Sequence, residues 1–155
     1  MSVVPLSVSR RVALRTLLLL STVVAAPWRV LAAQWNKAAF EARVLADALE
    51  RLGATTAPES DQIDFKAPEI AENGAIVPIE VRSRVPGTRS IHVLVEKNQF
   101  PLAASFEFLE GAEPFIATRI KMSESARVTV LVNADGKYFS AARDVKVTIG
   151  GCGVS

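Results

Sequence analysis

Between residues 61 and 149 the apolar side chains recur at about every second position, and no other feature narrows the possible folds so far. A period of two puts one side of an extended chain against a core and the other toward solvent. The stretches 63–66, 76–82, 91–96, 103–109, 115–121, 127–133 and 137–149 carry this pattern and are rich in β-branched and aromatic residues. Asn73-Gly74, Pro86-Gly87 and Asp135-Gly136 mark turns between them. The last lies between VTVLVN and KYFSAA and has the two-residue form that joins strands in a hairpin. About seven short strands at this spacing predict an antiparallel β-sandwich of immunoglobulin-like type over residues 61–149. Pro78 falls inside one of the strands and has no N–H to give a ladder, so that strand is expected at an edge or with a bulge.

The alternation is clean in Asp144-Val145-Lys146-Val147-Thr148-Ile149 and stops at Gly150. Residues 150–155 are therefore expected to project from the sandwich as an arm. Gly150, Gly151 and Gly153 have no Cβ and reach backbone angles closed to other residues. They leave Cys152, the single cysteine of the sequence, unshielded. Three residues of extended chain place its thiol up to about 10 Å beyond the last strand.

A catalytic thiol needs a histidine, a helix N-terminus or another fixed base to hold it as thiolate. The single histidine, His92, lies mid-strand in IHVLVE and reads as a surface or sheet-face residue. Paired-thiol redox chemistry needs a second cysteine, and one Cys with one His makes no metal site. The chain is thus expected not to be an enzyme and to hold no cofactor or metal. Its thiol reads as a handle that carries a covalently bound group between enzymes. The alternative is a structural or adhesive exported sandwich whose tail cysteine forms an intermolecular disulfide. The glycines favour the handle: a disulfide gains nothing from them, whereas a narrow channel admits backbone without side chains.

Residues 1–33 read as a secretory signal peptide, with a basic patch at Arg10, Arg11 and Arg15, an apolar run over 16–26 and a small-residue finish at Ala32-Ala33. The apolar run is shorter than the roughly 20 residues that span a bilayer. Ser9-Arg10-Arg11-Val12-Ala13-Leu14 is similar to the twin-arginine export signal, so the expected location is the periplasm after cleavage behind Ala33. Of 18 basic and 16 acidic residues the leader removes four arginines and no acids, leaving 14 against 16. The basic pI of about 8.9 therefore belongs to the leader. With no basic surface interleaved with aromatics, neither a nucleic-acid nor a membrane partner is expected.

The segment 34–53 predicts an amphipathic helix over 35–52. Phe40, Val44, Leu45, Ala48, Leu49 and Leu52 share one face, and Gly53 stops it. That face covers either its own sheet or a partner, and residues 54–60 read as a linker.

KAPEIAENGAIVPIEV (66–81), PLAASFEF (101–108), TRIKM (118–122) and VKVTIGGCG (145–153) resemble SoxY, the sulfur-oxidation carrier subunit of thiosulfate-oxidising bacteria. The resemblance implies a heterodimer with a second β-sandwich subunit, SoxZ, exported by the twin-arginine route. It implies that Cys152 bears the sulfur intermediates of thiosulfate oxidation and that Gly150, Gly151 and Gly153 form the substrate arm. It also implies transient docking to a c-type cytochrome, a dimanganese hydrolase and a molybdenum and haem sulfane dehydrogenase. The family commonly ends Gly-Gly-Cys-Gly-Gly; here Val154 and Ser155 follow Gly153. The candidate subunit surfaces are the helix face and the Pro78 edge.

Overall fold

The computed structural model describes residues 36–149. Eight strands are present there: β1 (Ile63–Lys66), β2 (Ile70–Asn73), β3 (Val77–Ser83), β4 (Thr88–Val95), β5 (Leu102–Glu107), β6 (Phe115–Ile120), β7 (Ala126–Ala134) and β8 (Lys137–Ile149). They form a three-stranded sheet in the order β1-β3-β6 and a five-stranded sheet in the order β2-β8-β7-β4-β5. The two sheets face each other across one apolar core, as the period-two pattern requires. Val77, Ile79 and Val81 of β3 meet Ile91, Val93 and Val95 of β4 and Val128, Val130 and Val132 of β7 in it.

The expected hairpin closes at Asp135-Gly136, with Ala134 opposite Lys137. Asp135 and Gly136 have φ of 48° and 83°, the paired positive angles that match the twist of the flanking strands. The sandwich is not wholly antiparallel, because β2 runs parallel to β8. β2 is also the strand that the sequence does not announce. Its four residues, IAEN, bury only Ala71, and its pairing comes from the long free flank of β8.

The edge expected at Pro78 is absent: β3 is the middle strand of its sheet and its register with β6 runs without a bulge. Pro78 is tolerated because β1 stops at the pair Lys66–Glu80, so Pro78 has a neighbour only in β6, opposite Arg119. A missing N–H on the side that no strand covers costs no ladder bond.

The expected single helix is two. α1 spans Lys37–Phe40 and α2 spans Leu45–Leu52, and Val44 between them is extended. Ala39 and Ala48 are both fully buried, yet nine residues at 3.6 per turn would set them on opposite sides of one straight helix. The break lets both face the sheet. Asn36 fixes the corner from both ends, since its Oδ1 accepts from the Ala39 N–H and its Nδ2 donates to the Arg51 carbonyl. Gly53 ends α2 in the left-handed conformation, φ 74°, as the sequence predicts.

The helices cover the outer face of the five-stranded sheet. Ala39, Ala42 and Ala48 pack with Leu94, Leu102 and Leu131 in a second core, with Phe40, Leu45, Leu49 and Leu52 around it. The amphipathic face is therefore spent on the chain's own sheet, and Val44, expected on that face, is 57% exposed. The expected linker is held as well. The Ser60 N–H donates to the Ser140 carbonyl, the Ser140 N–H to the Pro58 carbonyl, and Ser140 Oγ to the Ala57 carbonyl.

Candidate functional site

Cys152 and the glycines Gly150, Gly151 and Gly153 lie outside the described residues, as do Val154, Ser155 and the leader 1–33. The structure describes β8 as far as Ile149, the residue before Gly150 in the sequence. β8 runs along β7 from Lys137 to Val145, where β7 ends opposite it at Ala126. Beyond Val145 it is held on its other flank by β2, with Ile70 opposite Lys146, Ala71 opposite Val147 and Asn73 opposite Ile149.

Side chains take over where β7 stops. Ser125 Oγ accepts from the Val147 N–H at 2.9 Å and Thr148 Oγ1 donates to the Ala71 carbonyl at 3.3 Å. The last bond is made by the β2–β3 turn, where the Gly74 N–H donates to the Ile149 carbonyl at 2.8 Å. Asn73 shapes this turn by accepting from the Ala75 N–H through its Oδ1 at 2.8 Å. The Gly74 carbonyl accepts from the Met122 N–H at 2.7 Å, which ties the turn to the β6–β7 loop. That loop is tied in turn to the β4–β5 loop, where Asn98 donates to the Lys121 carbonyl and accepts from the Ser123 N–H. Hydrogen bonds therefore hold β8 as far as Ile149, and the β2–β3 turn that bonds it is tied in turn to the β6–β7 and β4–β5 loops.

His92 sits on the outer face of the five-stranded sheet and is 7% exposed, so it is a buried sheet-face residue and not a surface one. Its ring is held between two hydroxyls, with Nδ1 2.9 Å from Ser105 Oγ and Nε2 3.0 Å from Ser90 Oγ. Its ring centre lies 6.1 Å from that of Tyr138. A neutral imidazole donates from one nitrogen and accepts at the other, and a hydroxyl meets either need. Burial pushes its pKa down to about 4. It is thus satisfied as a neutral core residue. Ser90 was within reach of sequence reasoning as its i−2 neighbour on one face, whereas Ser105 required the β4–β5 register.

A hollow of about 390 Å³ lies beside β2 and β8, but its charges are mixed: Glu69 and Asp144 stand with Arg143 and Lys146. Arg143 is already committed there, donating from Nε to the Phe65 carbonyl at 2.7 Å. Among the described residues no three His, Cys, Asp or Glu side chains gather as a metal site would need.

The family described as "Sulfur oxidation protein SoxY" matches residues 49–152, from the end of α2 to Cys152. The chain belongs to the SoxY family. Among solved structures this SoxY chain is similar to the sulfur carrier protein SoxY from Chlorobium limicola f thiosulfatophilum. Identity is 39%, the TM-score is 0.62, and the match covers 73% of this chain and 99% of that one. A superoxide reductase (neelaredoxin) from Ignicoccus hospitalis is also similar, with 18% identity and a TM-score of 0.49 over 56% of this chain and 80% of that one. No curated protein matches.

Proposed function

We propose that this chain is a periplasmic carrier that holds thiosulfate-derived sulfur covalently on Cys152 and presents it to the enzymes of sulfur oxidation. The observation that carries this reading is the family match, whose bounds, residues 49–152, reach from α2 past the last strand to Cys152 itself. Two features support it: β8 holds its register as far as Ile149, and residues 150–153 read Gly-Gly-Cys-Gly. A firm root and a slim tip are what a thiol needs if it is to enter another protein's active site.

The chemistry balances with partners of two kinds. In the first step the Cys152 thiol and thiosulfate join through a new S–S bond, giving Cys–S–S–SO₃⁻, one proton and two electrons. The electrons pass to a c-type haem partner. In the second, water cleaves the terminal S–S bond, giving Cys–S–S⁻, sulfate and two protons. A metal hydrolase partner performs that step, and a sulfane dehydrogenase takes the persulfide further. The chain itself supplies attachment and delivery. Tethering raises the local concentration of each intermediate at a docked enzyme. Residues 1–33 direct export by the twin-arginine route, and the exported form is a heterodimer with a SoxZ-like β-sandwich subunit.

The test is the intact mass of the mature protein from thiosulfate-grown cells, before and after reductant, beside a Cys152→Ala control. Sulfur- and thiosulfate-sized additions that vanish with reductant and are missing from the control are the expected result. A uniform disulfide-linked dimer, or a bare thiol, overturns the carrier reading in favour of a structural sandwich.

A further inference from the structure

We propose that Asn73-Gly74, in the turn from β2 to β3, is a latent self-modification site that the end of β8 keeps unreacted. It is the single Asn-Gly step of the sequence, and the glycine has no side chain to screen its backbone nitrogen. In the reaction the Gly74 nitrogen gives up its proton and attacks Asn73 Cγ. A C–N bond forms, the Cγ–Nδ2 bond breaks, and Nδ2 leaves as ammonia with that proton. Water then opens the five-membered imide at either carbonyl, giving aspartate or isoaspartate.

The structure prepares one half of this reaction and withholds the other. Asn73 Oδ1 accepts from the Ala75 N–H at 2.8 Å. That bond holds the carboxamide over its own turn, draws electron density from Cγ, and supports the negative charge that attack places on Oδ1. The nucleophile is held back. The Gly74 N–H donates to the Ile149 carbonyl at 2.8 Å, and Gly74 is buried between the exposed Asn73 and Ala75. Its proton is thus both bonded and shielded from the hydroxide that must remove it. Pairing of Asn73 with Ile149 also keeps the backbone extended, against the rotation that ring closure needs. On the other side of the peptide, the Gly74 carbonyl accepts from the Met122 N–H at 2.7 Å.

The guard is only as firm as the end of β8. Beyond Val145 that strand is held by β2, by Ser125 Oγ on the Val147 N–H and by Thr148 Oγ1 on the Ala71 carbonyl. When the end opens, the Gly74 N–H is freed, whereas the Asn73–Ala75 bond is local to the turn and stays. An isoaspartate then routes the main chain through Cβ, a methylene longer, so Gly74 loses its register with Ile149. A transient opening becomes a permanent one. The molecule carries its own control in Asp135-Gly136, which can close the same imide by losing water. There the Gly136 N–H is bonded within the turn, to Asn133 Oδ1 at 3.0 Å, and owes nothing to the end of β8.

The experiment incubates the full chain at mildly alkaline pH, folded and in guanidinium chloride, and reads conversion of Asn73 by peptide mass mapping beside amide exchange at Gly74. Conversion should be at least roughly tenfold slower in the folded chain than in the unfolded one. In Ser125→Ala it should rise about fivefold, in step with exchange at Gly74, and Thr148→Val should move both rates together by a factor of its own. Isoaspartate at Asp135 should form at the same rate in all three folded proteins. Chains that have become isoaspartate at residue 73 should exchange the Val147 amide faster than unreacted ones. Conversion as fast in the fold as in denaturant, or none in either, overturns the proposal. So does a conversion rate that fails to follow Gly74 exchange across the three proteins, and unaltered Val147 exchange in the isoaspartate chains overturns the permanent opening.

Discussion

Single residues show how far local chemistry settles this chain. Gly87 turns β3 into β4 at φ 74°, and a Cβ added there would stand 2.3 Å from Asp135 Oδ2, whose own N–H bonds the Gly87 carbonyl. Gly87→Ala should lower the stability of the fold by about 1–2 kcal/mol, measured by urea unfolding, most of it from the left-handed backbone. His92 gives a pH dependence. Its folded pKa of about 4 lies below its ordinary 6.5, so the unfolded chain takes up a proton first as pH falls. Stability from this group is complete above pH 6.5 and drains away as pH drops toward 4, by at most roughly 3 kcal/mol. In His92→Gln the acid-side loss between pH 7 and 4.5 should be smaller than in the unmodified protein by part of that amount. Equal losses in the two proteins would remove the buried neutral imidazole from the account. The sequence places His92 on a sheet face by alternation alone. That the face is covered follows from two helices and a neighbouring strand.

Elements differ in how much they determine themselves. β7 and β8 are announced by alternation and by Asp135-Gly136, and the structure reproduces 137–149 to the residue. β2 is announced by nothing, because a strand that buries one alanine has no apolar stripe to show. Its existence depends on the flank of β8 left open beyond Val145, and Ser125 completes the other flank. Ser125→Ala should therefore loosen the end of β8 without touching the core. Removing one net hydrogen bond, about 1 kcal/mol, corresponds to roughly fivefold faster amide exchange at Val147, with Val130 unchanged. Equal exchange at Val147 in both proteins would show that β2 alone holds the end of β8. The helical segment makes the opposite point: its apolar residues predict a helix, and the break between α1 and α2 is imposed by the sheet on which both alanines land.

At the scale of the whole molecule, the five-stranded sheet is the common wall of two cores. Val130 faces the core between the sheets and Leu131, its neighbour, faces the core under the helices. One sheet cannot lose either support and stay paired, so the two cores should melt together. Leu131→Ala should cost about 3 kcal/mol and shift a single unfolding transition, followed by far-UV circular dichroism in urea, as Val130→Ala does more mildly. Two separated transitions would show the helical layer to be independent. By itself the sequence determined the β-sandwich, its hairpin, the stop of alternation at Gly150 and Cys152 as the candidate thiol, because period two and turn residues act over a few neighbours. Only the tertiary structure decided the parallel β2, the middle position of β3, the break in the helix and the burial of His92. Each of those depends on which surface another part of the chain left uncovered, and no local pattern records that.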